Sequence, residues 1–160
     1  MDTHDDSKRL AALSATGLVN SPPIPAVDEM IGRLVKHYEV NAGWVLLFDD
    51  RRQFVLSAIG FEVTEAHHYL DYTHWATRAL AGRQLPVIVS DCRKHKILLS
   101  HPDVVSGEMV FLAFAPLVTK DNYVIGCVGI DDIKSRPDFV LNEAEMLMEI
   151  TRELKSYLAI

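Results

Sequence analysis

The chain has 160 residues, 49% of them hydrophobic and 24% charged, with a net charge of −6. It is long enough for one domain with a real core. The acidic balance excludes a nucleic-acid surface, which needs concentrated positive charge; the densest basic cluster is the loop-like Arg93-Lys94-His95-Lys96. Cys92 and Cys127 make neither a disulfide framework nor metal-site spacing. No apolar run approaches the roughly 18 residues of a membrane span, and no basic-then-apolar leader opens the sequence. The expectation is a cytoplasmic protein with reduced cysteines and no membrane contact.

In chain order, residues 1–7 read as a frayed polar tail and 8–160 as a single domain. Leu10 and Leu13 share one side of a short helix that ends near Gly17. Ser21-Pro22-Pro23-Ile24-Pro25 forces an extended link. Val27, Met30, Ile31, Leu34, Val35 and Tyr38 then recur at helical spacing as one apolar stripe, with Asp28 and Glu29 in the first turn, where the helix dipole favours them. Trp44–Phe48 and Phe54–Ile59 read as strands joined by a turn at 49–52. Thr64–Tyr72 has mixed helical character, and Thr73 caps a helix closed by Gly82. Pro86–Ser90 is a third strand and Asp91–Glu108 an irregular stretch. Met109–Val118 and Tyr123–Asp132 form a hairpin in which neither run alternates, so both faces are expected to be covered. In the last helix Asn142 and Glu145 resemble a capping box, and Leu147, Ile150, Leu154 and Tyr157 form a two-heptad seam. The order predicts an α+β sandwich: a mostly antiparallel sheet, the terminal helices on one face and the middle segment on the other.

Several pieces carry a resemblance. They are Arg9–Leu13 with Thr16-Gly17-Leu18 and Ser21-Pro22-Pro23; Ala42–Asp50 with Arg52-Gln53-Phe54 and Ile59-Gly60-Phe61; Asp91 with Ser100-His101-Pro102, Val105-Ser106-Gly107 and Ala115-Pro116-Leu117; Ile125–Asp132; and Phe139, Glu143 and Leu147. In that order, over residues 8–158, they resemble a GAF domain of the kind found in bacterial sensor kinases and cyclic-di-nucleotide signalling proteins. The resemblance implies a central antiparallel sheet of five to six strands and a cavity under the middle segment. Members of the family hold cyclic nucleotides, bilins, haem, iron or small metabolites there. Many form homodimers through the terminal helices and signal to an output domain. Here the chain stops at Ile160, just after the helix that would lead into one, so a signalling partner in trans is expected unless the domain acts in isolation.

The resemblance leaves the cofactor open. Phe139 and Glu143 match part of the cyclic-nucleotide pattern, but its Asn-Lys pair is missing. No cysteine adjoins His101, so covalent bilin attachment is not expected. Free methionine-(R)-sulfoxide reductases share the fold and would make this an enzyme. Cys92 reads as an accessible loop thiol, yet it lacks a resolving partner. His67, Asp71 and His74 fall at i, i+4 and i+7, a spacing that would gather metal ligands on a continuous helix. A new helix starting at Thr73 breaks that register, so no metal site is assigned.

Trp44, Leu46 and Phe48 share one side of their strand, and Phe111, Ala113 and Ala115 one side of theirs. One set must face the helices and the other the cavity. The candidate pocket is Trp44, Phe48, Tyr69, Tyr72, Trp75, Arg78, Phe111 and Ala113, with Arg78 beside the aromatics suiting an anionic or planar ligand. Asp131 and Asp132 are expected to be solvated at the hairpin's exit, leaving the cavity no ionisable group from that hairpin. The small residues Gly126 and Gly129 would leave room for a ligand or for a neighbouring side chain. The reading is a non-catalytic small-molecule-sensing or regulatory module. The alternatives are the sulfoxide reductase and a ligand-free dimerisation module.

Overall fold

The structure, a computed structural model, describes residues 3–50, 52–64, 73–80 and 85–160, without the side chains of residues 3–5, 73 and 74. The elements in chain order are α1 (Thr3–Thr16), α2 (Pro25–Tyr38), β1 (Ala42–Asp49), β2 (Arg52–Ile59), α3 (Thr73–Leu80) and β3 (Val87–Val89). Two 3-10 turns, Cys92–Lys94 and Leu98–Ser100, lead to the short α4 (Pro102–Val105). Then come β4 (Phe111–Val118), β5 (Val124–Asp132), a 3-10 turn at Leu141–Ala144 and α5 (Glu145–Leu158). The strands lie in the order β2-β1-β5-β4-β3, every neighbouring pair antiparallel. This is the α+β class expected.

One face of the sheet carries α1, α2 and α5. Val27, Ile31 and Leu34 of α2 and Leu147, Ile150 and Leu154 of α5 pack there on Val45, Leu47, Phe111, Ala113, Val128 and Ile130. The other face carries α3 and the segment from Cys92 to Met109 over Trp44, Phe48, Leu112, Phe114 and Cys127. Both faces of β4 and β5 are therefore covered, which explains why neither strand alternates in sequence. An irregularity in the β4–β5 ladder, where Leu117 pairs with Gly126 but Val118 with Val124, leaves Ile125 as the extra residue. This bulge sends Ile125 to the helical face and Cys127 to the other. Gly126 is obligatory beside it, since a Cβ there would lie 2.1 Å from the Leu46 carbonyl oxygen.

Three expectations change. Helix α1 begins at Thr3, so residues 3–7 belong to it and form no tail. Its anchor is Arg9, 7% exposed, whose Nη1 donates to the Phe48 carbonyl at 2.6 Å and whose Nε donates to Asp6 at 3.2 Å. The capping box is absent: α5 starts at Glu145, behind a 3-10 turn, with no side-chain cap. Tyr38 of α2 does that work, accepting from the Leu147 N–H at 3.1 Å and donating to the Glu143 carbonyl at 2.5 Å. An orphan donor of the first turn is thus satisfied by a tertiary contact. Finally, Leu147, Ile150 and Leu154 are at most 1% exposed within the domain itself, whereas Tyr157 is 56% exposed. The seam is already covered by the domain's own sheet and α2.

Candidate ligand cavity

Between the second face of the sheet and the middle segment lies a cavity of about 370 Å³. Its floor is Trp44, Leu46 and Phe48 of β1, Gln53 and Val55 of β2, Leu112 and Phe114 of β4, and Cys127 and Asp131 of β5. Trp75 and Ala76 of α3 face it, as do Leu98, His101, Asp103 and Glu108. The strand period of two decides membership. On β4 the even residues face the cavity and the odd ones face the helices.

The same alternation organises β5. Trp44 pairs with Gly129, flanked on the cavity side by Cys127 and Asp131. A Cβ on Gly129 would fall 2.2 Å from the indole, so only glycine lets the Trp44 ring lie flat across the neighbouring strand. In that position Nε1 donates to Asp131 Oδ2 at 2.8 Å. The room left by Gly129 thus goes to a neighbouring side chain. Asp131 is only 8% exposed, and burial pushes its carboxyl up to about 6. The indole bond opposes that rise, while the nearby Asp103 and Asp132 charges add to it. Among the described residues no cation pairs with it.

Asp132 points the other way. Its Oδ2 accepts from Arg136 Nη2 at 2.6 Å and from Nε at 3.0 Å, and its Oδ1 accepts from the Ile133 N–H at 2.8 Å. Arg136 also donates to the Glu39 carbonyl at 3.1 Å, tying the end of β5 to the link between α2 and β1. Neither aspartate is solvated, and the hairpin does supply an ionisable group to the cavity. Alternation across a buried edge, rather than a strand exit, governs this pair.

His101 is the other polar group that sequence reasoning left without a role here. It is 7% exposed and its Nδ1 accepts from the Asp103 N–H at 3.0 Å, capping α4. That bond places the neutral ring's proton on Nε2, and burial holds its pKa below the usual histidine value. The signal in the sequence was its place before Pro102, the first residue of a helix.

Of the candidate residues, Trp44, Phe48 and Trp75 line the cavity. Phe111 and Ala113 do not: they sit in the helical-face core, because they occupy odd positions of β4. Arg78 is exposed, on the opposite side of α3 from the buried Ala76 and Leu80. Tyr69, Tyr72, His67 and Asp71 lie outside the described residues, as does the side chain of His74. Among the described residues no three His, Cys, Asp or Glu side chains are grouped to hold a metal ion. Cys92 is fully buried, not accessible, and burial together with the Asp131 and Asp91 charges pushes its thiol up to about 12. Cys127 is raised further by burial alone. No helix of the described residues is long and apolar enough to cross a membrane.

No protein-family model and no curated protein matches the sequence. Solved structures do. A domain assigned to a two-component sensor histidine kinase of Sinorhizobium meliloti 1021 is 23% identical, with a TM-score of 0.61 over 87% of this chain and 92% of that one. The GAF domain of a phosphoenolpyruvate-protein phosphotransferase from Coxiella burnetii is 14% identical, with a TM-score of 0.66 over 99% and 95%. Reduced fRMsr of Staphylococcus aureus is 15% identical, with a TM-score of 0.63 over 93% and 94%. The fold of this chain is that of a GAF domain.

Proposed function

We propose that this chain is a regulatory module of signal transduction, holding a small molecule in the cavity without transforming it and reporting occupancy to a partner protein in trans. The observation that carries this reading is the cavity itself. Its volume of about 370 Å³ falls in the range of small-molecule sites, with apolar walls and a few convergent polar groups. The likeness to the sensor-kinase and phosphotransferase domains supports a place in signalling. The likeness to fRMsr makes thiol catalysis the alternative to test. Against it stand two buried thiols. With a pKa near 12, Cys92 is a thiolate in only about one molecule in 10⁵ at pH 7.

A thermal-shift screen of small metabolites, followed by native mass spectrometry, tests the reading. The expected result is stabilisation by one chemical class, about 2.7 kcal/mol when the ligand is present at 100 times its Kd. A cavity that answers to nothing supports the ligand-free dimerisation module instead. Turnover of free methionine sulfoxide that depends on thiols and is lost in Cys92→Ser would overturn the non-catalytic part. We further expect a homodimer through the terminal helices. With Leu147, Ile150 and Leu154 already buried, it must use their outward faces, Tyr157 included. Light scattering should then read twice the 18.0 kDa of one chain.

A further inference from the structure

The polar groups of the cavity have one sign, and this narrows what fits. The argument rests on the reading that the cavity holds a small molecule. We propose that its occupant is a flat organic cation bearing N–H groups, such as an amidinium or a protonated nitrogen heterocycle, which donates to the Asp131 carboxylate and stacks among the aromatic walls.

Asp131 lies in the cavity wall with 8% of its surface exposed. One oxygen takes the Trp44 N–H; the other receives no hydrogen bond from the described residues. A carboxylate held in a low-dielectric site without a counter-charge is costly, and a bound cation removes that cost. The remaining charged groups on the lining are Asp103 and Glu108, both acidic; no lysine or arginine is among them. An anion would therefore meet only repulsion, and a zwitterionic amino acid would leave its own carboxylate unpaired. Trp44, Phe48, Phe61, Trp75 and Phe114 offer the ring faces and edges that attract a flat cation. Their contribution is largest where water is excluded.

Three probes of one shape separate the possibilities: benzamidine, benzamide and benzoate, carrying positive, zero and negative charge at about pH 8. Trp44 and Trp75 are the chain's two tryptophans and both line the cavity, so intrinsic fluorescence of the full chain reads occupancy. The expected result is that benzamidine binds about tenfold or more tightly than benzamide, that benzoate binds more weakly than either, and that Asp131→Asn brings benzamidine down to the level of benzamide. Binding without charge preference, or a preference that survives Asp131→Asn, overturns the proposal and leaves the small-molecule reading standing. Saturable binding of none of the three overturns both. Circular dichroism checks that the variant folds. If it does not, the wild-type chain at about pH 5 replaces it, where the Asp131 carboxyl is protonated. Asp103, Glu108, His101, Cys92 and Asp132 are the other titratable groups around it. Cys92 stays neutral, Asp132 is held by Arg136, and Asp103→Asn and Glu108→Gln controls separate the two remaining acids. Loss of the benzamidine preference at that pH in the wild type and both controls supports the proposal; its persistence overturns it.

Discussion

Asp131 and Asp132 are consecutive, equally acidic and equally buried, yet they belong to different regions of the molecule. Asp132 faces the helices and is met at every lone pair that matters, by Arg136 twice and by the Ile133 N–H. Asp131 faces the cavity and is met by one indole. The contrast extends to the two faces of the sheet. On the helical face, polar groups such as Tyr38 and Asp132 close circuits between elements, and the rest is aliphatic packing. On the cavity face, aromatic rings surround a space and polar atoms point into it incompletely paired. A face built for stability satisfies its polar groups from within the chain; a face built for recognition leaves some for an outside partner.

Substitutions break that comparison in order of expected size. Leu154→Ala, in the fully buried helical core, should cost about 2–5 kcal/mol, a drop in Tm on the order of ten degrees by calorimetry. A negligible change would mean that α5 does not close the core. Asp132→Asn should follow at about 2–3 kcal/mol, since it leaves Arg136, 23% exposed in its side chain, without its partner. Asp131→Asn should do the opposite. Its carboxyl titrates near 6 in the fold against an ordinary 3.8, so the fold takes up that proton more readily than the unfolded chain. The stability contributed is full below about pH 4 and is lost as pH rises through about 6; the difference is worth about 3 kcal/mol at most. The variant should therefore melt several degrees higher than wild type at pH 8 and show no gain at pH 4. Destabilisation at both pH values would place Asp131 with Asp132 as a structural acid. The smallest effect belongs to Tyr38→Phe, which removes the bridge between α2 and α5. About 1 kcal/mol is expected, with faster hydrogen exchange at the Leu147 amide than elsewhere in α5. Unchanged exchange there would show that the hydroxyl is not the cap.

Much of the fold was legible because it rests on periodicity and punctuation. The stripe from Val27 to Tyr38 is α2, and Trp44, Leu46 and Phe48 share one side of β1. The all-apolar hairpin announced a sheet covered on both faces. That same uniformity hid which of its residues face where: with Phe111 to Val118 entirely uncharged, nothing local separates Phe111 from Phe114. The acid at the cavity wall escaped for a related reason. Two aspartates after a strand read as its exposed end, and only the register that pairs Ala42 with Asp131 keeps both within the sheet. Arg78 looked like a ligand anchor from its neighbours in sequence, but the helix turns it away from Ala76 and Leu80 and into solvent.

The sequence by itself therefore determined the class of the fold, the order of its layers and the existence of two apolar faces, since these depend on local spacing that any reader of the chain can count. Tertiary structure alone decided which face is filled and which is hollow. That choice follows from contacts between distant residues: Tyr38 reaching the start of α5, a bulge at Ile125 setting the register of β5, and Gly129 admitting the Trp44 indole so that it can hold Asp131. Such long-range geometry leaves no period in the chain, and it is where the cavity's chemistry resides.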